Sequence, residues 1–313
     1  MVLDMSSLEE ESKNPNNAVE VSAADGVSGE YAPLPLEELI PRTRRWGLGA
    51  LAEAPEMTHS EHNEAVREGT LASVHSWELV TAVDGPGTRM TLFLSGCPLR
   101  CQYCHNPDTF QMRDGHAVTI ADVFNLVKRY SSIFRVTGGG LTISGGEALM
   151  QAKFVHNLLR MCRREGIHTC LDTSGFLGAN LTDEDLHNLD LVLLDVKSGD
   201  SATYRQVTGR DLEPTVAFGN RLAGACIPVW VRFVLVPGLT DDPDNIRQVA
   251  SIAGRWPNLE RLEVLPFHQM ARDKWEHLGL KYSLEDTPVP TKEQVAQAIE
   301  IIKSAGVDKV FSG

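Results

Sequence analysis

Three cysteines set close together are the residues of this chain best suited to chemistry. Cys97, Cys101 and Cys104 have the spacing C-x3-C-x2-C, and no fourth cysteine lies near them. A cubane iron–sulfur cluster takes four ligands, usually thiolates. A cluster held by three cysteines keeps one iron open to a substrate, so the spacing predicts a cluster that takes part in a reaction.

Two other interpretations of this cysteine loop stay open. His105 follows Cys104 directly and would complete a zinc site, or the three thiols lie near each other without a metal. Structural zinc usually takes paired C-x2-4-C ligands together with His or Cys from a second site. The remaining cysteines stand singly among apolar residues, and we expect core thiols at Cys162, Cys170 and Cys226. The spacing therefore favours the cluster over zinc.

Short apolar runs that alternate with helical stretches must position the cysteine loop. The predicted strands are 91–95, 141–144, 168–172, 191–196, 229–236 and 262–265. The predicted helices are 119–130, 152–165, 244–253 and 292–304. This alternation is typical of βα units around a parallel sheet. The sequence therefore predicts an α/β fold, a partial (β/α)6 barrel of the TIM type.

Polar residues stand at or just after the carboxyl ends of several predicted strands. They are Glu147, Asp172, Asp195, Lys197 and His268. Parallel barrels form their active sites at this rim. We therefore expect these side chains and the cysteine loop to share one site.

The types of these rim residues restrict what the site can bind. Gly145 and Gly146 lack a Cβ, so the backbone there can approach a ligand closely. Asp172 and Asp195 are suited to ribose hydroxyls, to a small cation or to capping the next helices. Lys197 shares a face with Asp195 and can pair with it or with an anionic group. Neither G-x-G-x-x-G nor a lysine-bearing phosphate loop is present, which excludes a kinase or a nicotinamide enzyme.

Composition and charge exclude several classes of protein. The chain has 313 residues, 42% of them hydrophobic, and a formal net charge of -13. That charge argues against nucleic acid as the principal partner. No apolar run is long enough to span a membrane, and the acidic start does not resemble a secretion signal. Bunched cysteines suit a reducing compartment, so we expect a cytoplasmic protein without membrane association.

The first 70 residues differ in composition from the rest. Residues 1–70 hold fourteen Asp and Glu against five Lys and Arg, with no sustained apolar period. Such a segment buries too little surface to offset its ordering entropy. We predict a disordered acidic extension over 1–70, with 34–40 as the one candidate for a short docking helix, and a folded domain over 71–313.

Several motifs together resemble the signature of the glycyl-radical-enzyme activases, which belong to the radical S-adenosylmethionine family. The matching residues are Gly85-Pro86-Gly87-Thr88-Arg89, Phe93, Gly96-Cys97, Cys101, Tyr103-Cys104, Asn106, Ser144-Gly145-Gly146-Glu147, Leu171-Asp172-Thr173, Leu194-Asp195-Val196-Lys197 and Leu265-Pro266-Phe267-His268. The resemblance covers the chain from about Ser73 onward. It implies radical chemistry that starts from S-adenosylmethionine.

The resemblance also implies a role for each matching residue. Cys97, Cys101 and Cys104 would hold a [4Fe-4S] cluster, and its open iron would bind S-adenosylmethionine. The residues implied in binding that cofactor are Tyr103, Cys104, His105, Gly145, Gly146, Glu147, Asp195, Val196, Lys197 and His268. The residues implied in a monovalent cation site are Asp172, Thr173 and Asp195. Asp84, with Arg89, would bind the glycine loop of the partner and so take part in catalysis.

The identity of the partner is inferred from the lack of further cysteines after the first loop. Related activases of dehydratases and decarboxylases carry extra cysteine clusters after the first loop, whereas residues 105–144 contain no cysteine. With the Trp275 segment after His268, this indicates pyruvate formate-lyase as the partner, with a low-potential donor such as flavodoxin as the reductant. Three alternatives stay open: a different glycyl radical enzyme as partner, a non-catalytic zinc-binding module, and a simple one-electron carrier.

Overall fold

A curved sheet with parallel strands at its centre carries the fold. The structure is a computed structural model that describes residues 48–81 and 83–313. Its strands are β1 (Leu71–Thr81), β2 (Arg89–Leu94), β3 (His116–Thr119), β4 (Gly140–Gly145), β5 (His168–Thr173), β6 (Leu191–Asp195), β7 (Val229–Leu235), β8 (Leu259–Pro266) and β9 (Val310–Ser312). They form one nine-stranded sheet in the order β3-β1-β2-β4-β5-β6-β7-β8-β9.

Every pair from β2 to β9 is parallel, whereas β1 pairs antiparallel with both β2 and β3. All six predicted strands are present, and their boundaries differ from the prediction by at most three residues. The sheet stays open, with β3 and β9 as its edges. The predicted partial (β/α)6 barrel is confirmed.

Helices lie between the parallel strands, as the βα pattern requires. They are α1 (His59–Glu68), α2 (Ile120–Arg129), α3 (Ser131–Thr137), α4 (Ala152–Arg164), α5 (Asp183–Leu186), α6 (Ser201–Thr208), α7 (Glu213–Gly224), α8 (Pro243–Ala253), α9 (Arg272–His277) and α10 (Lys292–Ser304). The four predicted helices correspond to α2, α4, α8 and α10. None of the helices described in 48–81 and 83–313 has the length and apolar character needed to cross a bilayer.

Local sequence explains where these helices begin and which side they bury. The Thr119 hydroxyl caps α2 by accepting from the Asp122 amide at 3.2 Å, and Thr291 and Gln294 form a capping box at the start of α10. In α4, Phe154, Leu158 and Cys162 recur every four residues and are buried in the main core. The apolar faces of the helices thereby cover the sheet.

The inner face of the sheet holds a separate, smaller apolar cluster. Cys170, Leu191 and Leu193 are fully or almost fully buried there and pack with Trp230. Farther along the same strands, towards their carboxyl ends, the side chains become charged at Asp172, Asp195 and Arg232. The barrel interior thus changes from apolar to ionic as it approaches the rim.

The described part of the acidic extension differs from the prediction of disorder. Leu48 and Leu51 are only 2% and 1% exposed, and the Trp77 indole donates to the Leu48 carbonyl at 2.6 Å. The Ala54 amide donates to the Ala117 carbonyl of β3 at 2.7 Å, and α1 begins at a Thr58 capping box. Two buried leucines leave no periodic signal, so composition alone missed this segment. The candidate helix over 34–40 lies outside the described residues.

Replacing Leu51 tests this docked segment. We expect Leu51→Ala to lower the free energy of unfolding by about 2–5 kcal/mol, because it removes a buried side chain from the core. Denaturant unfolding followed by circular dichroism measures the change, with the exposed Glu56→Ala as the control from the same segment. A Leu51→Ala protein as stable as the control would mean that 48–58 does not pack on the sheet.

Candidate active site

The cysteine loop has no regular structure of its own, and neighbouring backbone holds it in place. The loop follows β2, and its first two amides bond to the turn at Thr109 and Phe110. Gly96 N–H donates to the Thr109 carbonyl at 2.7 Å, and Cys97 N–H donates to the Phe110 carbonyl at 3.2 Å. Cys104 N–H donates to the Cys101 carbonyl at 3.1 Å. These bonds bring the three cysteines into one loop at the carboxyl end of β2.

The last turn of α6 anchors the middle of the cysteine loop. Arg100 N–H donates to the Thr208 carbonyl at 2.8 Å and Gln102 N–H to the Val207 carbonyl at 3.0 Å. The Gln102 amide side chain adds a bond to the Gln206 carbonyl at 2.8 Å. Final carbonyls of a helix lack partners within the helix, so the loop and α6 satisfy each other. Cys101, between the two anchored amides, is thereby fixed.

The thiols are protected from solvent and hold their protons firmly. Cys101 is 8% exposed, and Cys97 and Cys104 are half-buried. Burial, followed by the neighbouring Cys101, raises the pKa of Cys97 and of Cys104 to about 12 each. Amide hydrogen bonds from Leu99 to Cys97 and from Asn106 to Cys104 act in the opposite direction. Metal binding at these thiols therefore releases protons and is stabilised by amide donors already in place.

The donor set fits a cluster better than a single zinc ion. Within residues 48–81 and 83–313, no three or more His, Cys, Asp or Glu side chains converge as the ligands of one metal ion do. In an iron–sulfur cluster each thiolate binds a different iron, so the three cysteines need not meet at one point. His105, the fourth ligand of the zinc alternative, instead packs its ring against His268 with 3.9 Å between ring centroids.

The turn Gly145-Gly146-Glu147 lies directly against the cysteine loop. Gly146 N–H donates to the Leu94 carbonyl and Glu147 N–H to the Gly96 carbonyl, both at 2.9 Å. A Cβ on Gly146 would lie 2.6 Å from the Gly96 carbonyl oxygen and 3.0 Å from the Cys97 Cβ. Gly145 has a φ of +125°. Only glycine allows this approach, so the predicted proximity of the two motifs is present in the structure.

Glu147 has contacts different from those predicted for a cofactor ligand. Its carboxylate is 2% exposed and accepts from the Thr173 hydroxyl at 2.6 Å, from the Ser174 amide at 3.0 Å and from the Ser174 hydroxyl. A further bond comes from the Leu149 amide at 3.2 Å. Burial raises the pKa of Glu147, while these donors favour its ionised form. In the structure this side chain joins the end of β4 to the end of β5.

An ion cluster at the ends of β5, β6 and β7 forms the charged wall of the site. Arg232 donates to Asp172 and, at 3.1 Å through Nε, to Asp195. Lys197 Nζ donates to the other oxygen of Asp195 at 3.0 Å, and the Ser144 hydroxyl donates to Asp172 at 2.6 Å. Two carboxylates are thus balanced by two cations. This pairing leaves the wall polar without net charge.

The pKa shifts in this wall follow from burial and pairing. Burial opposes the ionisation of Asp195, but Arg232 and Lys197 outweigh it and hold the pKa of Asp195 below its usual value. Burial dominates at Asp172 and raises its pKa despite Arg232. Burial also opposes the charge on Lys197, yet Asp195 raises the pKa of that ammonium well above its usual value. Lys197 therefore presents a fixed positive charge beside the cysteine loop.

Arg232 is the member of the wall that sequence reasoning missed. A usable signal was present, because one arginine interrupts the apolar run of β7 at a position that shares its face with Trp230 and Val234. A cation buried inside a barrel needs an anionic partner, which would have predicted its pairing with Asp172 or Asp195.

Among the buried polar side-chain atoms without a hydrogen-bond partner in the described part of the protein, two belong to residues predicted to bind the cofactor. They are the Tyr103 hydroxyl oxygen and Nδ1 of His268. Tyr103 is 6% exposed, and Lys197 Nζ lies 5.7 Å from its ring centroid. Buried polar atoms normally find partners. Their location therefore fits a site that receives a polar ligand next to the three cysteines.

His105 and Val196 contribute in different ways. Burial, followed by the neighbouring His268, lowers the pKa of His105 to about 4, so the ring is neutral at physiological pH. The Val196 side chain is fully buried in the main core, and its amide donates to the Arg232 carbonyl at 3.0 Å. The Val196 side chain and amide are therefore both occupied within the fold. Thr173 uses its hydroxyl as a donor to Glu147.

Asp84 and Arg89 lie at the other end of the barrel. Both precede or begin β2, whereas the cysteine loop follows it, and a strand of this length spans roughly 20 Å. The Asp84 carboxylate accepts from the Thr91 hydroxyl at 3.0 Å. Arg89 has no exposed surface and donates to the Thr142 hydroxyl at 2.6 Å and to the Leu141 carbonyl at 2.7 Å. Arg89 braces the barrel from within, which differs from the predicted contact with the partner.

The three cysteines expected in the core behave differently from one another. Cys162 and Cys170 are fully buried, as predicted. Cys226 is exposed, so the prediction of a core thiol there is wrong. It lies in the turn after α7 with a positive φ of 55°, and this backbone conformation directs the side chain away from the apolar residues that surround it in sequence.

Comparisons with known proteins agree with this geometry. The model of the radical SAM superfamily matches residues 91–250. The pyruvate formate-lyase 1-activating enzyme of Escherichia coli (strain K12) is 38% identical over 77% of this chain and 99% of its own length. The pyruvate formate-lyase-activating enzyme of Clostridium pasteurianum is 41% identical over 72% of this chain and 94% of its own.

A solved structure supports the fold alone. A radical SAM methyltransferase from Sphaerobacter thermophilus superimposes with a TM-score of 0.52 at 13% identity, and the match covers 82% of each chain. At that identity the likeness concerns the arrangement of strands and helices and carries nothing about the reaction.

Removing one thiol tests the metal-binding role of the loop. We expect Cys101→Ala to retain less than about 0.5 iron per chain after anaerobic reconstitution, against about four iron and four sulfide in the unmodified chain. Iron and acid-labile sulfide analysis measures both. The exposed Cys226→Ala serves as the control and should keep the full content. Equal iron in the two variants would contradict the assignment.

Replacing Glu147 tests its structural role. We expect Glu147→Gln to lower the free energy of unfolding by about 1–3 kcal/mol, because an amide cannot accept from all the donors around it and leaves at least one of them unpaired. Glu165→Gln, which removes an exposed carboxylate paired with Lys128 at 3.0 Å, should change stability by about 0.5 kcal/mol or less. A Glu147→Gln protein as stable as this control would show that the buried contacts are not needed.

Proposed function

Because the chain belongs to the radical SAM superfamily and, within it, to the pyruvate formate-lyase-activating enzymes, we propose that it generates a glycyl radical on pyruvate formate-lyase under anaerobic conditions. Cys97, Cys101 and Cys104 would hold a [4Fe-4S] cluster. When bound, that cluster would supply the electron for reductive cleavage of S-adenosylmethionine to a 5′-deoxyadenosyl radical, the species that would remove a hydrogen atom from one backbone glycine of the partner. The observation that carries the proposal is a loop with three thiols that lies against a glycine turn and two unpartnered buried polar atoms.

The residues around the loop have the chemistry needed to bind S-adenosylmethionine. Gly145 and Gly146 allow its methionyl part to approach the backbone without meeting a Cβ. Lys197 offers a fixed positive charge for a carboxylate. The partnerless Tyr103 hydroxyl and His268 Nδ1 offer hydrogen bonds to polar groups of the nucleoside. We also propose that Asp172, Thr173 and Asp195 bind a monovalent cation. Its positive charge would add to that of Arg232 and Lys197.

A primary carbon radical attacks almost any neighbouring C–H bond, so the site must exclude water and orient the substrate. Tyr103, Phe267, Val236 and Leu284 are buried together in an apolar cluster beside the cysteines. These side chains close one flank of the site. The glycine loop of the partner then enters the barrel interior, and the Asp84 carboxylate, at the end of β2 away from the cysteines, is the group that would hold the backbone of that loop.

The electron has to come from a low-potential donor, for which we propose a flavodoxin-like protein. Three exposed basic side chains bond directly to the cysteine loop: Arg100 to the Cys97 carbonyl at 2.7 Å, Arg210 to the Pro98 carbonyl at 2.8 Å and Lys274 to the Asn106 side chain at 2.9 Å. They stand out in a chain with a formal net charge of -13. An acidic donor surface complements them, and a reducing cytoplasm is the compartment that suits the free cysteines.

Incubation with pyruvate formate-lyase tests the proposed function. Reconstituted, reduced protein with S-adenosylmethionine should produce the doublet of a glycyl radical in electron paramagnetic resonance. We expect Asp84→Asn to slow radical formation at least about tenfold, since a hydrogen bond to a charged group contributes about 1.5–3 kcal/mol. Asparagine keeps an acceptor for Thr91, so the barrel itself should not change.

Two comparisons make this test specific. Asp84→Asn should cleave S-adenosylmethionine without the partner at the unmodified rate, and the exposed Asp308→Asn should behave as the unmodified chain in both assays. Radical formation by Asp84→Asn at the unmodified rate would remove Asp84 from the proposal. Cleavage of the cofactor without any radical on pyruvate formate-lyase would favour a different glycyl radical enzyme as the partner.

A further inference from the structure

The segment after β8 lies across the part of the cysteine loop that α6 does not hold. We name residues 267–287 the cover segment; it includes α9. Trp275 Nε1 donates to the Cys104 carbonyl at 2.9 Å, and Lys274 Nζ donates to the Asn106 side-chain oxygen at 2.9 Å. Ser283 adds a longer contact to Gln102 at 3.4 Å. The cover segment therefore contacts the loop around its third cysteine.

The cover segment holds Trp275 in one orientation. The indole is 8% exposed, its ring centroid lies 5.5 Å from that of Tyr282, and the edge contact with Phe110 spans 5.9 Å between centroids. Gln269 closes the segment: its side-chain nitrogen lies 3.2, 2.8 and 2.7 Å from the carbonyl oxygens of Leu284, Glu285 and Thr287, which share its two hydrogens. An indole packed between two rings on a closed segment presents its N–H in a fixed direction.

The three cysteines receive their support from different elements. The backbone around Cys101 is anchored on α6 through Arg100 and Gln102, and Cys97 is bonded to the turn at Phe110. Cys104 lies beyond these anchors, and the side chain that bonds to its own carbonyl is Trp275, 171 residues away in sequence. A peptide plane held at its carbonyl cannot rotate freely, so this bond restricts the direction of the Cα–Cβ bond of Cys104.

We propose that Trp275 is a positioning residue for the third iron ligand, one that orients Cys104 through its backbone carbonyl without contacting iron or substrate. The inference rests on the proposed function, because it requires a cluster at the three cysteines. Groups that orient a metal ligand from outside the coordination sphere commonly change metal retention by one to two orders of magnitude. Removing the indole N–H should therefore weaken cluster retention while the fold persists.

Another buried tryptophan provides a matched control. Trp256 lies just after α8, outside the cysteine loop. It is 3% exposed, and its Nε1 donates to the side-chain oxygen of Asn220 in α7 at 2.9 Å. Phenylalanine keeps a ring at either position and removes only the indole N–H and the smaller ring. Trp275→Phe and Trp256→Phe thus lose the same group and a similar amount of packing.

The test measures how fast each reconstituted protein loses iron to an excess of chelator under anaerobic conditions. We expect Trp275→Phe to release iron about tenfold faster than the unmodified chain, and Trp256→Phe to release it at the unmodified rate. The thermal midpoints of the two metal-free variants should fall by similar amounts. The reduced Trp275→Phe protein should also show a broadened cluster signal in electron paramagnetic resonance.

Two results would overturn the inference. Iron release from Trp275→Phe at the unmodified rate would show that the bond does not position the ligand. Equally fast release from both variants would trace the effect to general loss of packing. Failure of the unmodified chain to hold iron and sulfide is a separate result, and it would overturn the proposed function itself.

Discussion

Between Cys97 and Cys104 the loop has a single backbone–backbone hydrogen bond of its own, from Cys104 to Cys101, and this constraint organises the rest of the structure. A loop that must present three thiols in fixed directions needs its backbone groups satisfied from outside. The last carbonyls of α6 accept from Arg100 and Gln102, the glycine turn after β4 bonds to Leu94 and Gly96, and Trp275 donates to Cys104. The elements that form the barrel rim are therefore also the elements that shape the loop.

The pairing of charged side chains at the barrel rim follows from their burial. Side chains at the ends of β5, β6 and β7 point into a buried space, where an unpaired charge is costly. Asp172 and Asp195 are accordingly paired with Arg232 and Lys197. Such a wall is balanced before a ligand arrives, so a zwitterionic ligand with an amino and a carboxylate group can exchange partners with it without leaving a net buried charge.

The sequence predicted the parallel core well because its signal is local. Strands covered on both faces are nearly continuous apolar runs, as in 191–194, and amphipathic helices such as α4 repeat at helical spacing. The predicted set leaves out β1, α6 and α7, and it also leaves out several elements whose stability comes from distant partners. The short edge strands β3 and β9 and the segment that buries Leu48 and Leu51 have weak local patterns and depend on docking.

The contacts of the site residues also divide into those that the sequence predicted and those that it did not. The motif spacing predicted that the cysteine loop and the glycine turn would meet, and the structure brings them within hydrogen-bond distance. It did not predict that Glu147 would be fully occupied by Thr173 and Ser174, that Arg89 would be buried, or that Arg232 would link two carboxylates. Each of these depends on which side chains face one another across neighbouring strands, information that one strand alone does not contain.

The central claim is that three cysteines leave one iron open, and that S-adenosylmethionine completes its coordination. Electron–nuclear double resonance of the reduced protein, with the cofactor labelled at its amino nitrogen, tests this most directly. The account predicts a coupling large enough to require a bond between that nitrogen and iron. Absence of any coupling, with a protein side chain as the fourth ligand, would contradict it.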